Sequence, residues 1–180
     1  MSTNAEFRSM FTEEVRKPEE DIRLDRAALY LAGEEYPGID VQSYLAELDA
    51  FASQIALREI DETTPADLAR AIAGYLFDEV GLHGNTGEYY SPENSYLNRV
   101  LETRTGIPIT LSLIFLEGAR RMGLKCSGIG LPGHFIVGLD DTGEYLDPFN
   151  SGILLSAEDC RTLVQRMFGG QLEWTDRFLA

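Results

Sequence analysis

Residues 106–123 read GIPITLSLIFLEGARRMG, and the fold turns on them. Pro108 suits the first position of a helix, where a backbone N–H has no partner to lose. The run LSLIFLEGA (111–119) is apolar on almost all sides, so a helix over about 108–122 should be the central, most buried one. Gly123 can close it in the left-handed conformation. Downstream the period of hydrophobicity changes to two. LKCSGIG (124–130), HFIVGL (134–139), EYLDPF (144–149) and GILL (152–155) read as short strands. Asp140-Asp141-Thr142-Gly143 fits a four-residue hairpin turn, and Pro132-Gly133 marks another turn or bulge.

Upstream the pattern is helical. One helix runs from about Asp21 to Tyr36 and stops at Pro37-Gly38. Asp40 caps the next, whose Val41, Leu45, Leu48, Phe51 or Ala52, and Ile55 recur every three or four residues as one apolar stripe. Thr64 as N-cap and Pro65 at the first position start a third, with Leu68, Ile72, Leu76 and Val80 on its buried face. HGNTGEYYSPENS (83–95) is loop chemistry, and a short helix follows before Gly106. Ser156, with Asp159 three residues on, starts a last helix that buries Leu163, Val164, Met167 and Phe168. Helices, then a central helix, then an antiparallel sheet make an α+β domain. Residues 1–20 are polar and expected to be a flexible N-terminus. Residues 21–180 form a single domain with its core at 106–150.

Thirty acidic residues against fifteen basic ones give a formal charge of −15. Nucleic acid needs a basic footprint, and none is present; anionic membrane surfaces are disfavoured by the same argument. Cys126 and Cys160 have no CxxC spacing, and the histidines are His83 and His134 alone, so no metal site is expected. No cofactor is implied. The first 21 residues lack an apolar signal core, and no run of about 18 apolar residues exists to span a bilayer. The reading is a cytoplasmic protein with reduced thiols. An unknown protein or peptide partner, and the oligomeric state, are left open.

One constellation carries chemistry. His134 stands just after the turn Leu131-Pro132-Gly133, and the next strand ends in Asp147. Residues two apart share a face and neighbouring strands lie about 5 Å apart, so the two side chains can meet. A carboxylate beside an imidazole fixes its tautomer and orientation.

Helix–strand–His–strand–Asp, with the helix N-terminus facing the histidine, resembles the transglutaminase-like fold of the papain clan. That family's pattern has G-x-C at the helix start, Ala four residues later, an Arg and a Gly near the helix end, an H-x-W-V-like strand and a D-P-x-N terminus. Gly106-Ile107-Pro108 lies on G-x-C, Ser112 on the Ala, Arg120 on the Arg and Gly123 on the Gly. His134-Phe135-Ile136-Val137 and Asp147-Pro148-Phe149-Asn150 match the rest. The wider run from His83 to Leu124, with GIGLPGHFIVGL and YLDPFN, is similar to a bacterial branch of the superfamily. That branch carries a tetratricopeptide-like tail and is often described as regulating invasion-gene transcription; a related region occurs in a eukaryotic F-box protein. The tail is absent from this sequence, which is expected to be either a truncated form or a short member.

The departure from the family is Pro108, which stands where the nucleophilic cysteine should be. Neither Cys126, beyond the helix, nor Cys160, in the last helix, replaces it, and both read as inert thiols. Thr110, two residues past the slot, is turned about 200° around the helix from it. It is either a pocket hydroxyl or a first-turn cap. Asn94 and Asn98 share a helical face and either line the pocket or tie down the long loop. Tyr89 and Tyr90 either cover the site or pack on the core, while Arg120 and Arg121 read as ion-pair formers. Asp147 either orients His134 or makes an Asx turn with Pro148-Phe149-Asn150. The catalytic candidates are therefore His134 and Asp147, and the binding candidates are Asn94, Asn98, Thr110 and Tyr90. The expected function is a non-catalytic transglutaminase-like binding or regulatory module. The alternative is a hydrolase using His134–Asp147 as general base without a covalent intermediate. A third reading makes the domain a scaffold, with Leu172, Trp174 and Phe178 exposed for docking.

Overall fold

The computed structural model describes residues 3–58, 64–140 and 142–179. The described chain runs through α1 (Asn4–Val15), α2 (Leu24–Glu35), α3 (Val41–Ala56), α4 (Pro65–Ala73), β1 (His83–Gly84), α5 (Leu97–Thr103), β2 (Thr105–Gly106) and α6 (Pro108–Arg121). It continues through β3 (Cys126–Leu131), β4 (His134–Leu139), β5 (Glu144–Asp147), β6 (Ile153–Leu155) and α7 (Ala157–Met167). This is the α+β architecture expected from the sequence. The four strands β3–β6 form one antiparallel sheet in sequential order.

The sheet separates two apolar clusters. Val137, Leu139 and Leu146 join the large core built with Leu111, Ile114 and Phe115 of α6 and the stripes of α3 and α4. Ile129, Leu131 and Ile136 project the other way, onto Cys160 and Val164 of α7, with Leu172, Trp174 and Phe178 packed partly buried against them. That packing weakens the scaffold reading, which needs those three side chains free. Phe115, Leu111 and Ile114 are wholly buried, each contributing about 1.5–3 kcal/mol.

Local chemistry explains the ends of most elements. Asp40 accepts from the Gln42 amide, Thr64 from Asp67, and Ser156 from Asp159, and Gly123 takes the left-handed conformation after α6. Of the expected hairpin turn, Asp141 lies outside the described residues.

Four expectations need correction. Residues 1–20 are not simply a loose leader: α1 starts on a Thr3–Glu6 capping box and buries Phe7, whose ring lies where a Cβ on Gly33 of α2 would be. The third helix does not stay α-helical to Val80. Residues 74–79 form a π-helical stretch, and the Val80 amide donates to the Tyr75 carbonyl five residues back. The extra residue per turn rotates the face, so Phe77 is buried and Val80 only half-buried. Met167 and Phe168 are largely exposed and cover Gly133. Finally, β1 and β2 make a two-residue parallel bridge, His83 beside Thr105 and Gly84 beside Gly106, which pins the long loop to the start of α6. No helix among the described residues is long and apolar enough to cross a membrane.

Candidate functional site

The register of β4 and β5 pairs Val137 with Leu146. One step further Asp147 stands across from Ile136, and His134 is its diagonal neighbour on the same face. His134 Nε2 donates to Asp147 Oδ2 at 2.9 Å. The other carboxylate oxygen, Oδ1, accepts the backbone amides of Phe149 at 3.1 Å and Asn150 at 3.3 Å, and the Asn150 side chain donates to Oδ2 at 2.7 Å. Asp147 thus holds the imidazole and makes the Asx turn at once, and its side chain is 1% exposed. Burial works to raise its pKa. The hydrogen bonds from His134 and Asn150, the imidazole charge and the Asn150 amide outweigh that and hold the carboxyl below its ordinary value.

With Nε2 committed to Asp147, no hydrogen bond from the described residues reaches Nδ1 of His134. The imidazole, 8% exposed, lines a shallow cavity of about 230 Å³ with Tyr89, Ile107, Pro108, Ile109, Gly133 and Phe135. Histidine and the first turn of α6 therefore share one opening with mostly apolar walls. Phe149 stands edge-on to His134 at 6.2 Å between ring centroids, and Tyr89 edge-on to Phe149 at 5.9 Å. Gly84 lies flat against Phe149: a Cβ there would come within 2.6 Å of the ring, so this position requires glycine.

The binding candidates behave differently from one another. Thr110 donates to the Asn94 carbonyl at 2.8 Å and accepts the Ile107 amide at 3.1 Å; it is a buried cap. Asn94 donates to the carbonyls of Glu88 and Tyr89 and accepts from Asn85, which anchors the loop. Both act on the cavity indirectly, by fixing Tyr89. Tyr90 points to solvent, 94% exposed, and is not among the cavity residues; Tyr89 takes the place expected of it. Asn98 is not there either. It is 2% exposed and lines a separate groove with Tyr36, Tyr44 and Arg99. His83 bonds the Gly81 carbonyl and Thr105 and so anchors the loop. Sequence reading missed Phe149 and Gly84. Their only signals were an aromatic inside D-P-x-N and a glycine beside His83.

A profile of the transglutaminase-like superfamily matches residues 42–180, which include the whole of this site. The chain belongs to the transglutaminase-like superfamily. It is 41% identical over 166 residues to a UPF0162 protein of Xylella fastidiosa, spanning 90% of this chain and 58% of that protein. A UPF0162 protein of Pseudomonas aeruginosa is 30% identical over 156 residues, 87% of this chain and 57% of the relative. F-box only protein 21 of Mus musculus is 34% identical over 104 residues, 52% of this chain and 17% of that protein. The chain therefore spans a little over half the length of these two bacterial relatives. No solved structure matches it at a significant level.

No thiol lines the His134 cavity among the described residues. Pro108 is buried at the head of α6. Cys126 lies past the far end of that helix, and burial, then the Asp140 charge, pushes its thiol up to about 12. Cys160 is buried on the far side of the sheet, and burial, then Asp159 and Asp147, pushes it up to about 11. Neither supplies a thiolate near neutral pH.

Proposed function

We propose that this transglutaminase-like domain has left thiol chemistry and works as a binding or regulatory module, with the His134 cavity as its recognition site. Pro108 carries the reading: it is a buried proline where the resemblance would put the nucleophile, and it lines one cavity with a hydrogen-bonded His–Asp pair. Acyl transfer through a thioester needs the sulfur, and removing one member of such a unit costs on the order of 10⁴-fold or more. The regulatory role that the resemblance attaches to the bacterial branch would run through a protein or peptide. A formal charge of −15 disfavours direct contact with nucleic acid. A cytoplasmic location is consistent with two free cysteines. The test is incubation with a primary amine and glutamine-containing peptides, and separately with peptide substrates. No turnover is expected; turnover abolished by His134→Ala would overturn the reading.

One observation favours a second reading. Among the described residues nothing bonds Nδ1 of His134, and the residue lines the cavity, as a general base acting on water would. That reading makes the domain a hydrolase without a covalent intermediate. Hydrolysis would survive alkylation of both cysteines and disappear in His134→Ala. Screening small esters and amides with the alkylated protein separates the two readings.

A further inference from the structure

β3 is an end strand of the sheet; the Asp176–Leu179 segment packs against it, while Gly128 and Gly130 stay exposed. The Asp140 amide donates to the Lys125 carbonyl, so in an antiparallel ladder Ser127, Ile129 and Leu131 also bond β4. Cys126, Gly128 and Gly130 then turn their amides and carbonyls away from the sheet. Edge strands are usually blunted by proline, charge or a covering element. β3 contains neither proline nor charge, and two of its three outward positions are glycine. A groove of about 1040 Å³ runs beside Cys126–Gly128. Ile22, Leu24 and Leu116 give it apolar walls, Leu24 being 44% exposed, and no residue of the His134 cavity belongs to it.

Its charge is one-sided. Arg120 is paired with Glu117, and Lys125 has no ion-pair partner among the described residues. Against it stand Asp140 and the exposed Glu19 and Glu20, whose side chains have no cationic partner among the described residues.

We propose that the β3 edge and this groove receive an extended, basic peptide segment of a partner protein, which adds to the sheet as a further strand. Unpaired main-chain groups supply sequence-independent hydrogen bonds, the apolar wall takes alternate side chains, and the carboxylate rim selects lysine or arginine.

The probe is a capped hexapeptide of alternating lysine and valine, titrated into the full chain with amide hydrogen exchange read residue by residue. Binding that slows exchange at Cys126 and Gly128 is expected. N-methylation of alternate peptide amides should abolish it, and a glutamate–valine peptide should not bind. Glu19→Lys with Glu20→Lys should weaken binding about tenfold, and Leu24→Asp comparably, the range of rim-charge and anchor changes. Both variants alter exposed side chains, so folding is not at risk. The proposal is overturned if the lysine–valine peptide fails to bind at about millimolar concentration, or if N-methylation changes nothing. It is equally overturned if the acidic peptide binds as well, or if the edge is protected by a second copy of the chain.

Discussion

Asp147 divides its two oxygens between two tasks, one holding His134 and the other closing the turn into Asn150. Asp147→Asn keeps the shape but puts an amide donor against the donors of His134 and Asn150. It should cost about 3 kcal/mol at neutral pH, the scale of a lost charge-assisted bond in a buried place. Because the folded carboxyl titrates below its ordinary value, the unfolded chain takes up the proton first on acidification. The stabilisation is complete above the ordinary aspartate value of about 3.9 and is lost as pH falls through the lower folded value. Urea denaturation should therefore show a gap between wild type and Asp147→Asn that is wide at neutral pH and closes in acid. A gap that widens in acid would contradict this assignment. Thr110 gives a contrast in the first turn of α6. Thr110→Val removes a cap bonded to Ile107 and Asn94 and should cost about 1–2 kcal/mol. Thr110→Ser should restore most of it, as a cap does and a nucleophile need not.

At the scale of elements, α6 is tied to α2 and α3 by a charged network at its C-terminal end. Arg121 donates to Asp25 at 2.7 Å, to Glu117 at 2.5 Å and to Asp49 at 2.7 Å, and the Asp25 backbone amide donates to Glu117 at 3.3 Å. Burial opposes the Asp25 charge, yet hydrogen bonds and charge from Arg121 and Arg23 keep its carboxyl below the ordinary value. Removing Arg121 would leave the buried carboxylates of Asp25 and Glu117 side by side without the cation they share. Arg121→Ala should therefore cost about 3–5 kcal/mol in urea denaturation, while Arg8→Ala, which breaks an exposed pair with Glu34, should cost far less. Comparable losses would mean the network is not desolvated. The sequence revealed the elements whose causes are local. Asp40, Thr64 and Ser156 cap within three residues of themselves, and α6 announces itself by being apolar all round. It could not reveal the π-helical stretch at 74–79, because what selects that face is distant: Gly152 packs flat on Phe77 and Ala73. A two-residue pairing such as β1–β2 is too short to show any period. In α1 a single buried phenylalanine sits within a polar segment, and nothing local distinguishes it from a fraying end.

Over the whole molecule, one sheet carries everything: the large core on one face, the α7 cluster on the other, and His134 and Asp147 on adjacent strands. That is why the His–Asp pair was legible from strand alternation. The surrounding wall was not, since Tyr89 is placed through Asn85 and Asn94 and Phe149 through a close approach of Gly84, contacts that no spacing encodes. The same sheet dictates how the protein should unfold. Trp174, the sole tryptophan, packs on the α7 cluster, while most helical signal comes from elements on the opposite face. Loss of either cluster exposes one face of strands that the other cluster needs. Fluorescence of Trp174 and far-ultraviolet circular dichroism should then report one coincident transition in urea, as a single cooperative unit does. Val164→Ala, wholly within the α7 cluster, should move both midpoints together by the equivalent of about 1–3 kcal/mol. If Trp174 moved first and alone, the C-terminal segment would be an appendage docked on a self-sufficient domain, and cooperativity across the sheet would be disproved.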